Sequence, residues 1–103
     1  LNGTLVSADK AHVSAYDRSF LYGDSLYEVL RTYEGRLFAL EEHLDRLEHS
    51  ARLARFSALP PRATLREELG RTVSEFRRRE NSEAYCRIVV SRGQGRIGFG
   101  LDC

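Results

Sequence analysis

The spacing of apolar residues changes near residue 40, and this change constrains the fold more than any other feature of the sequence. Residues 25–33 alternate as a strand does, with Tyr27, Val29, Arg31 and Tyr33 on one face and Leu26, Glu28, Leu30 and Thr32 on the other. From Leu40 to Phe56 the apolar residues instead recur every three or four positions, which predicts a helix. Neither face of the strand is purely apolar, so we expect one face to border a polar site.

Turn signals predict the remaining strands. Asn2-Gly3 is a strong hairpin-turn dipeptide, and it predicts a hairpin whose first strand is cut short, with the true start of the protein a few residues upstream. Glu34-Gly35 predicts a turn into a strand over Arg36 to Ala39. The apolar alternation returns from Glu83 to Arg92, which predicts a further strand.

A second helix is predicted between the first helix and the last strand. Pro60-Pro61 prevents the first helix from continuing, and Thr64 with Glu67 forms a capping-box pattern before an apolar stripe that ends near Asn81. The order of elements predicts an α+β fold, an antiparallel sheet with two helices packed on one side. At 103 residues, the chain is expected to form a single domain, residues 1–103.

Composition excludes several functional classes. The formal net charge of +1 gives no long-range attraction to nucleic acid or to an anionic membrane. No apolar stretch approaches the ~20 residues that span a bilayer, and the amino end carries no export signal. Cys86 and Cys103 form neither a disulfide framework nor a metal-ligand pattern with the histidines. We therefore expect a cytoplasmic protein without a metal site.

Two motifs carry a family resemblance. The first is the run Asp17-Arg18-Ser19-Phe20-Leu21-Tyr22-Gly23-Asp24-Ser25-Leu26-Tyr27-Glu28, and the second is His43-Leu44-Asp45-Arg46-Leu47. Together they resemble the class IV aminotransferases, and the chain is similar to the small N-terminal domain of these fold-type IV enzymes. The resemblance implies pyridoxal phosphate as cofactor, an amino acid and a 2-oxo acid as substrates, and a homodimer in which both subunits enclose each site.

Arg46 is the candidate cofactor-binding residue. A guanidinium can hold a phosphate with two hydrogen bonds, but spacing alone favours an exposed ion pair with Glu42 one helical turn away. The resemblance implies instead that Arg46 holds the phosphate of the cofactor. His43, in the same motif, is expected to pack or to form a hydrogen bond rather than to catalyse.

Four residues are candidates for substrate binding. Tyr22 and Tyr27 flank the Gly23-Asp24 turn, and phenols can pack against an apolar side chain while donating to a carboxylate. Tyr85 and Arg87 must share one face of their strand. Half-buried structural tyrosines and a salt bridge from Arg87 to Glu28 are the alternatives. The family resemblance implies that Tyr22 and Tyr27 line the substrate pocket. A resemblance to branched-chain aminotransferases implies that Tyr85 lies near the substrate α-carboxylate and that Arg87 serves the second carboxylate of glutamate or 2-oxoglutarate.

The residues after the last strand leave the subfamily open. Ser91-Arg92-Gly93, followed by Arg96, is similar to D-amino-acid aminotransferases and aminodeoxychorismate lyases, in which an arginine here lies near the substrate carboxylate. Arg96 is one residue out of register with that pattern. The resemblance therefore allows transamination or a lyase reaction.

The sequence contains one lysine, Lys10, in a polar segment before the motifs. Enzymes of the family hold their cofactor as a Schiff base on a lysine, and Lys10 does not match that position. We therefore expect no catalytic residue in this chain and place the Schiff-base lysine in a large C-terminal domain outside it, so that this chain alone is inactive. A non-catalytic anion-binding or interaction module is the alternative.

Overall fold

An antiparallel sheet of three strands forms the centre of the molecule. The structure is a computed structural model that describes residues 1–57 and 59–95. After a 3₁₀ turn at Ala8–Lys10, its elements are α1 (Arg18–Tyr22), β1 (Ser25–Tyr33), β2 (Arg36–Leu37), α2 (Leu40–Leu53), α3 (Arg62–Glu80) and β3 (Tyr85–Ser91). The strand order is β2-β1-β3, with both pairs antiparallel. The α+β class, the antiparallel sheet and the two long helices are confirmed.

Strand β1 has the bounds that its alternation predicts. Ser25 pairs with Ser91 and Arg31 pairs with Tyr85, so β3 accompanies most of the length of β1. Glu34 and Gly35 both take positive φ, 51° and 79°, which suits a two-residue hairpin turn. Strand β2 is shorter than expected and ends at Leu37, because Ala39 adopts a left-handed conformation and becomes the N-cap of α2.

The hydrophobic core lies between one face of the sheet and the helices. It consists of buried residues from β1, α2, α3 and β3, namely Leu30, Leu44, Leu47, Leu65 and Ile88. This is the face on which the sequence places Leu26, Glu28, Leu30 and Thr32. The other face of β1 is much more exposed. The helices therefore cover a single face of the sheet.

The helix ends differ from the predicted ones. Helix α2 stops at Leu53 rather than Phe56, and Arg55 just beyond it has a φ of 58°, which no helix accommodates. Helix α3 begins at Arg62 directly after Pro61, so Thr64 and Glu67 lie inside the helix and the predicted capping box is wrong. Proline lacks a backbone N–H and suits a helix start, which explains the earlier beginning.

In the amino-terminal region, one predicted element is absent and one observed helix was not predicted. Asn2 and Gly3 form the predicted turn, with φ of 51° and 85°, but residues 1–7 form no strand, so the predicted hairpin is wrong. Helix α1 was not predicted. Asp17 caps it by accepting a hydrogen bond from the Ser19 N–H, and left-handed Gly23 ends it.

Across residues 1–57 and 59–95, no helix is long and apolar enough to cross a membrane.

Candidate functional site

The predicted site residues lie on different sides of the sheet. Tyr27, Tyr85 and Arg87 project from the exposed face, where Tyr27 is 62% and Tyr85 78% exposed. Glu28, next to Tyr27 in β1, points to the opposite, helix-covered face and is 5% exposed. Arg46 on α2 is bound to Glu28. The sheet thus separates the candidate phosphate anchor from three of the candidate substrate residues.

Arg46 and Glu28 form a bidentate ion pair between α2 and β1. The Nε of Arg46 donates to both carboxylate oxygens, at 3.1 Å to Oε1 and 2.9 Å to Oε2, and its Nη2 donates to Oε1 at 2.7 Å. The Arg46 hydrogen bonds hold the pKa of the Glu28 carboxyl below its usual range, against the opposing effect of burial. The predicted alternative pairing of Arg46 with Glu42 is wrong, because the guanidinium turns toward the sheet.

His43 completes a cluster of three side chains. Its Nδ1 lies 2.6 Å from Oε1 of Glu28. A carboxylate can only accept hydrogen bonds, so Nδ1 carries the proton and donates. His43 and Arg46 are three residues apart on α2 and therefore lie on one face of the helix. The expectation that His43 forms a hydrogen bond is confirmed.

Cations and aromatic rings alternate on the exposed face of the sheet. The guanidinium carbon of Arg87 lies 5.3 Å from the centre of the Tyr27 ring. That of Arg31 lies 3.9 Å from the Tyr33 ring and 5.7 Å from the Tyr85 ring. These distances are within the range of cation–π attraction. The face therefore offers positive charge beside planar apolar surface, which suits a carboxylate that carries an apolar side chain.

The alternative salt bridge between Arg87 and Glu28 is wrong. Val29 is the partner of Arg87 across the strands, and Glu28 is the partner of Ile88. Arg87 and Glu28 therefore project from opposite faces. Tyr85 and Arg87 share the exposed face, as the two-residue spacing predicts.

Tyr22 lies outside the sheet, at the end of α1 and before the turn into β1. The turn is held by Arg92, which follows β3. Its Nε donates to Asp24 at 2.8 Å, and its Nη2 donates to the carbonyl of Ala54, also at 2.8 Å. Arg92 also lies 4.1 Å from the centre of the Phe56 ring. Arg92 thus links the turn to the end of α2, whereas Arg96 lies outside the described residues.

A second arginine, Arg18, has a structural role that the sequence did not predict. It is buried, and its guanidinium donates to the carbonyls of Gly93, Arg92 and Gln94 at 2.9, 2.8 and 3.3 Å. These bonds fix the backbone that leaves β3. Its place in the first motif gave no sign of this role, because the partners lie more than 70 residues away.

Glu28 is the site residue that sequence reasoning missed. It was considered only as an alternative partner for Arg87. The signal was present, because Glu28 is the one carboxylate on the Leu26, Leu30 and Thr32 face of β1, and a charge on a core face requires a partner. What the sequence could not show is that the partner comes from α2.

Comparison with known proteins identifies relatives along nearly the whole chain. Residues 25–102 match the family model of amino-transferase class IV. A Methanocaldococcus jannaschii protein with the provisional name branched-chain-amino-acid aminotransferase is 41% identical over 100 residues. That alignment covers 96% of this chain but 33% of the relative, so the chain spans about a third of its length.

Solved structures share the fold. A pyridoxal-phosphate-bound hypothetical aminotransferase from Mycobacterium tuberculosis superposes with a TM-score of 0.83 at 26% identity, over 91% of this chain and 33% of that one. The 4-amino-4-deoxychorismate lyase of Pseudomonas aeruginosa superposes with a TM-score of 0.75 at 30% identity, and the match covers 99% of this chain and 34% of the lyase. The similarity thus extends to proteins with different reactions.

Proposed function

The chain belongs to the amino-transferase class IV family, and we propose that it is the small N-terminal domain of a larger pyridoxal-phosphate-dependent aminotransferase. The reaction proposed is transfer of an amino group between a branched-chain-like amino acid and a 2-oxo acid. The 41% identity to the M. jannaschii protein supports the substrate class. The Schiff-base lysine is assigned to a part of the protein outside residues 1–103, since Lys10 lies on an exposed 3₁₀ turn.

The observation that carries the proposal is that Glu28 occupies only part of the Arg46 guanidinium. Glu28 occupies its Nε edge, where the hydrogen bonds use Nε–H and one N–H of Nη2. Of the five N–H groups of an arginine, the other three donate to no residue within 1–57 and 59–95, which leaves them for another anion. The side chain is 65% exposed. These features fit a phosphate, which arginine binds bidentately.

The exposed face of the sheet is proposed as the substrate wall. Arg87 would attract a substrate carboxylate, Tyr85 would donate a hydrogen bond to it, and Tyr27 would contact the apolar side chain. Tyr22, beside the turn that enters β1, would close the end of the pocket. Pyridoxal phosphate, when bound, supplies the electron sink that stabilises negative charge on the substrate Cα. In this proposal, residues 1–103 bind and orient the substrate and the cofactor, and the residue that moves the proton lies outside them.

Lyase chemistry is the second candidate. It is favoured by the likeness to the P. aeruginosa lyase and by the Ser91-Arg92-Gly93 motif. Arg92, however, is engaged with Asp24 and Ala54, which gives it a structural role. The motif therefore gives weaker support to lyase chemistry than it would if Arg92 did not hold the turn. A non-catalytic module is disfavoured, because the relatives are aminotransferases.

We further propose that the full-length protein is a cytoplasmic homodimer. The exposed sheet face supports an assembly, since it carries large apolar and aromatic side chains, among them Tyr27, Tyr33, Phe38, Tyr85 and Val89. Such side chains are usually covered in a complete protein.

The test uses the full-length protein that contains these residues. Borohydride reduction followed by intact-mass measurement should show one cofactor bound per chain, and incubation with leucine and 2-oxoglutarate should yield glutamate. Arg46→Ala should weaken cofactor affinity at least about tenfold, because a charge-assisted contact to the phosphate is lost. Arg52→Ala, an exposed arginine on the same helix, is the control and should retain affinity. Unchanged affinity in Arg46→Ala would exclude the phosphate-anchor role.

A further inference from the structure

We propose that Glu28 is a positioning residue that, together with His43, fixes the Arg46 guanidinium in advance for binding a phosphate group. The inference rests on the proposed function of Arg46 and adds to it. It assigns a role to a carboxylate that contacts neither substrate nor cofactor itself.

Glu28 is held in a fixed position by the sheet. It is 5% exposed, and its neighbours on the same face are the buried core residues Leu30 and Ile88. It stands in the middle of β1, where that strand is paired with β3 and Ile88 is its partner. A charge in such a place must be paired, because burial without a partner is costly. Glu28 therefore holds its partners in one position.

Without a partner, the side chain of Arg46 would be mobile. An exposed arginine side chain populates many rotamers, and ordering it costs conformational entropy. The bidentate contact with Glu28, at 2.7 to 3.1 Å, selects one orientation before any ligand arrives. An anion that binds the remaining N–H groups then does not have to order the side chain, and preorganisation of this kind increases affinity.

His43 supports the carboxylate from the same helix. Its Nδ1–H donates to Oε1 of Glu28, the oxygen that also accepts from Nη2 of Arg46. Two donors from α2 thus fix the carboxylate on β1. Rotation of the carboxylate would break the contacts to both His43 and Arg46, so His43 restrains Arg46 through Glu28.

Charge alone predicts the opposite effect. Glu28 is negative, and a nearby negative charge repels a phosphate. If electrostatic repulsion dominated, neutralising Glu28 would strengthen phosphate binding. If positioning dominates, the same change weakens binding. The sign of the change therefore separates the two explanations.

The experiment measures the affinity of the full-length apoenzyme for pyridoxal phosphate and for pyridoxal, which lacks the phosphate, by absorbance titration. Glu28→Gln should weaken the affinity for pyridoxal phosphate about ten- to a hundredfold, the range seen for residues that orient direct ligands of metals, and should leave pyridoxal affinity nearly unchanged. Glu48→Gln is the matched control, since Glu48 on α2 also forms an ion pair with an arginine, but its partner is Arg62 rather than Arg46. Tighter or unchanged phosphate binding, or an equal loss for both ligands, would overturn the inference.

A double variant separates this inference from the proposed function. If Glu28 acts through Arg46, Glu28→Gln should cause no further loss of affinity in an Arg46→Ala background. If Arg46→Ala itself leaves pyridoxal phosphate affinity unchanged, the proposed anchor fails. If Arg46→Ala weakens binding and Glu28→Gln does not, the positioning role alone fails. Should Glu28→Gln not fold, His43→Ala decides, with a phosphate-specific loss of about three- to tenfold supporting the role and no loss refuting it.

Discussion

At the scale of single residues, buried polar side chains join elements that are distant in sequence. Thr32 is fully buried in β1. Its hydroxyl donates to Glu83 at 2.8 Å and accepts from the backbone N–H of Ala84, also at 2.8 Å. The same carboxylate accepts from the N–H groups of Glu34 and Gly35 in the hairpin turn. The Thr32 hydrogen bond is the main reason why the pKa of Glu83 lies below its usual value. One hydroxyl thus connects the turn with the start of β3.

Replacement of Thr32 by valine should destabilise the protein by about 1–3 kcal/mol, because the isosteric side chain leaves the buried Ala84 N–H without its acceptor. The measurement is the free energy of unfolding in urea. Thr72→Val is the control: Thr72 is exposed on α3 and donates only to the carbonyl of Glu68. Its effect should stay within about 0.5 kcal/mol. Equal losses in the two variants would contradict this account of Thr32.

At the scale of elements, the two long helices are joined by charge as well as by the core. Arg62, at the start of α3, donates to Glu48, Asp45 and Glu41 of α2 at 2.9, 2.6 and 3.1 Å. The bonds to Glu48 and Asp45 raise the pKa of the Arg62 guanidinium. The network explains why α3 can begin immediately after the prolines without a side-chain cap. Its first turn is held against α2 instead.

Gly70 lowers the stability of helix α3, and a substitution can remove this effect. The residue is exposed in the helix interior, and a Cβ built there meets no described atom within 4 Å. Gly70→Ala should therefore stabilise the protein by about 0.5–1 kcal/mol by reducing the entropy of the unfolded chain. Gly23→Ala should do the reverse, because Gly23 has a φ of 66°. Thermal unfolding of both variants provides the check, and a destabilised Gly70→Ala protein would contradict the prediction.

At the scale of the whole molecule, the described part of the chain forms an open structure rather than a compact sphere. The radius of gyration is 14.7 Å, whereas about 13 Å is expected for a compact domain of this size. The shape follows from a three-stranded sheet with helices on one face only. The candidate substrate residues Tyr27, Tyr85 and Arg87 lie on the uncovered face.

Residues 1–103 on their own should therefore bind pyridoxal phosphate poorly. The face that carries the candidate substrate residues is open to water, which weakens each polar contact, and Lys10 lies on an exposed turn. Titration of this polypeptide should give no saturable absorbance change at concentrations that saturate the full-length protein. Borohydride reduction should leave its mass at 11.8 kDa. A stoichiometric adduct on this polypeptide would contradict the prediction.

The amino-acid sequence by itself determined the local structure and the family. The two-residue period of residues 25–33 determined β1 and its two faces, and the three- and four-residue period after Leu40 determined α2, because both depend on neighbours along the chain. The motif around Arg46 indicated the family, because a motif is likewise a pattern of neighbours along the chain. Errors fell at element ends, at Thr64 and after Leu53, where proline geometry and left-handed residues outweigh periodicity. They also fell before β1, where the predicted hairpin is absent from residues 1–7 and α1 was not predicted.

Only the tertiary structure decided which side chains meet. Glu28 and Arg46 are 18 residues apart, and Arg18 and Gly93 are 75 apart. Their pairing depends on the register of β1 with β3 and on the side of the sheet that α2 covers. For the same reason Arg46 pairs with Glu28 rather than with Glu42, its neighbour on the helix. A buried carboxylate binds its partner more strongly than an exposed one, because less water competes for the contact.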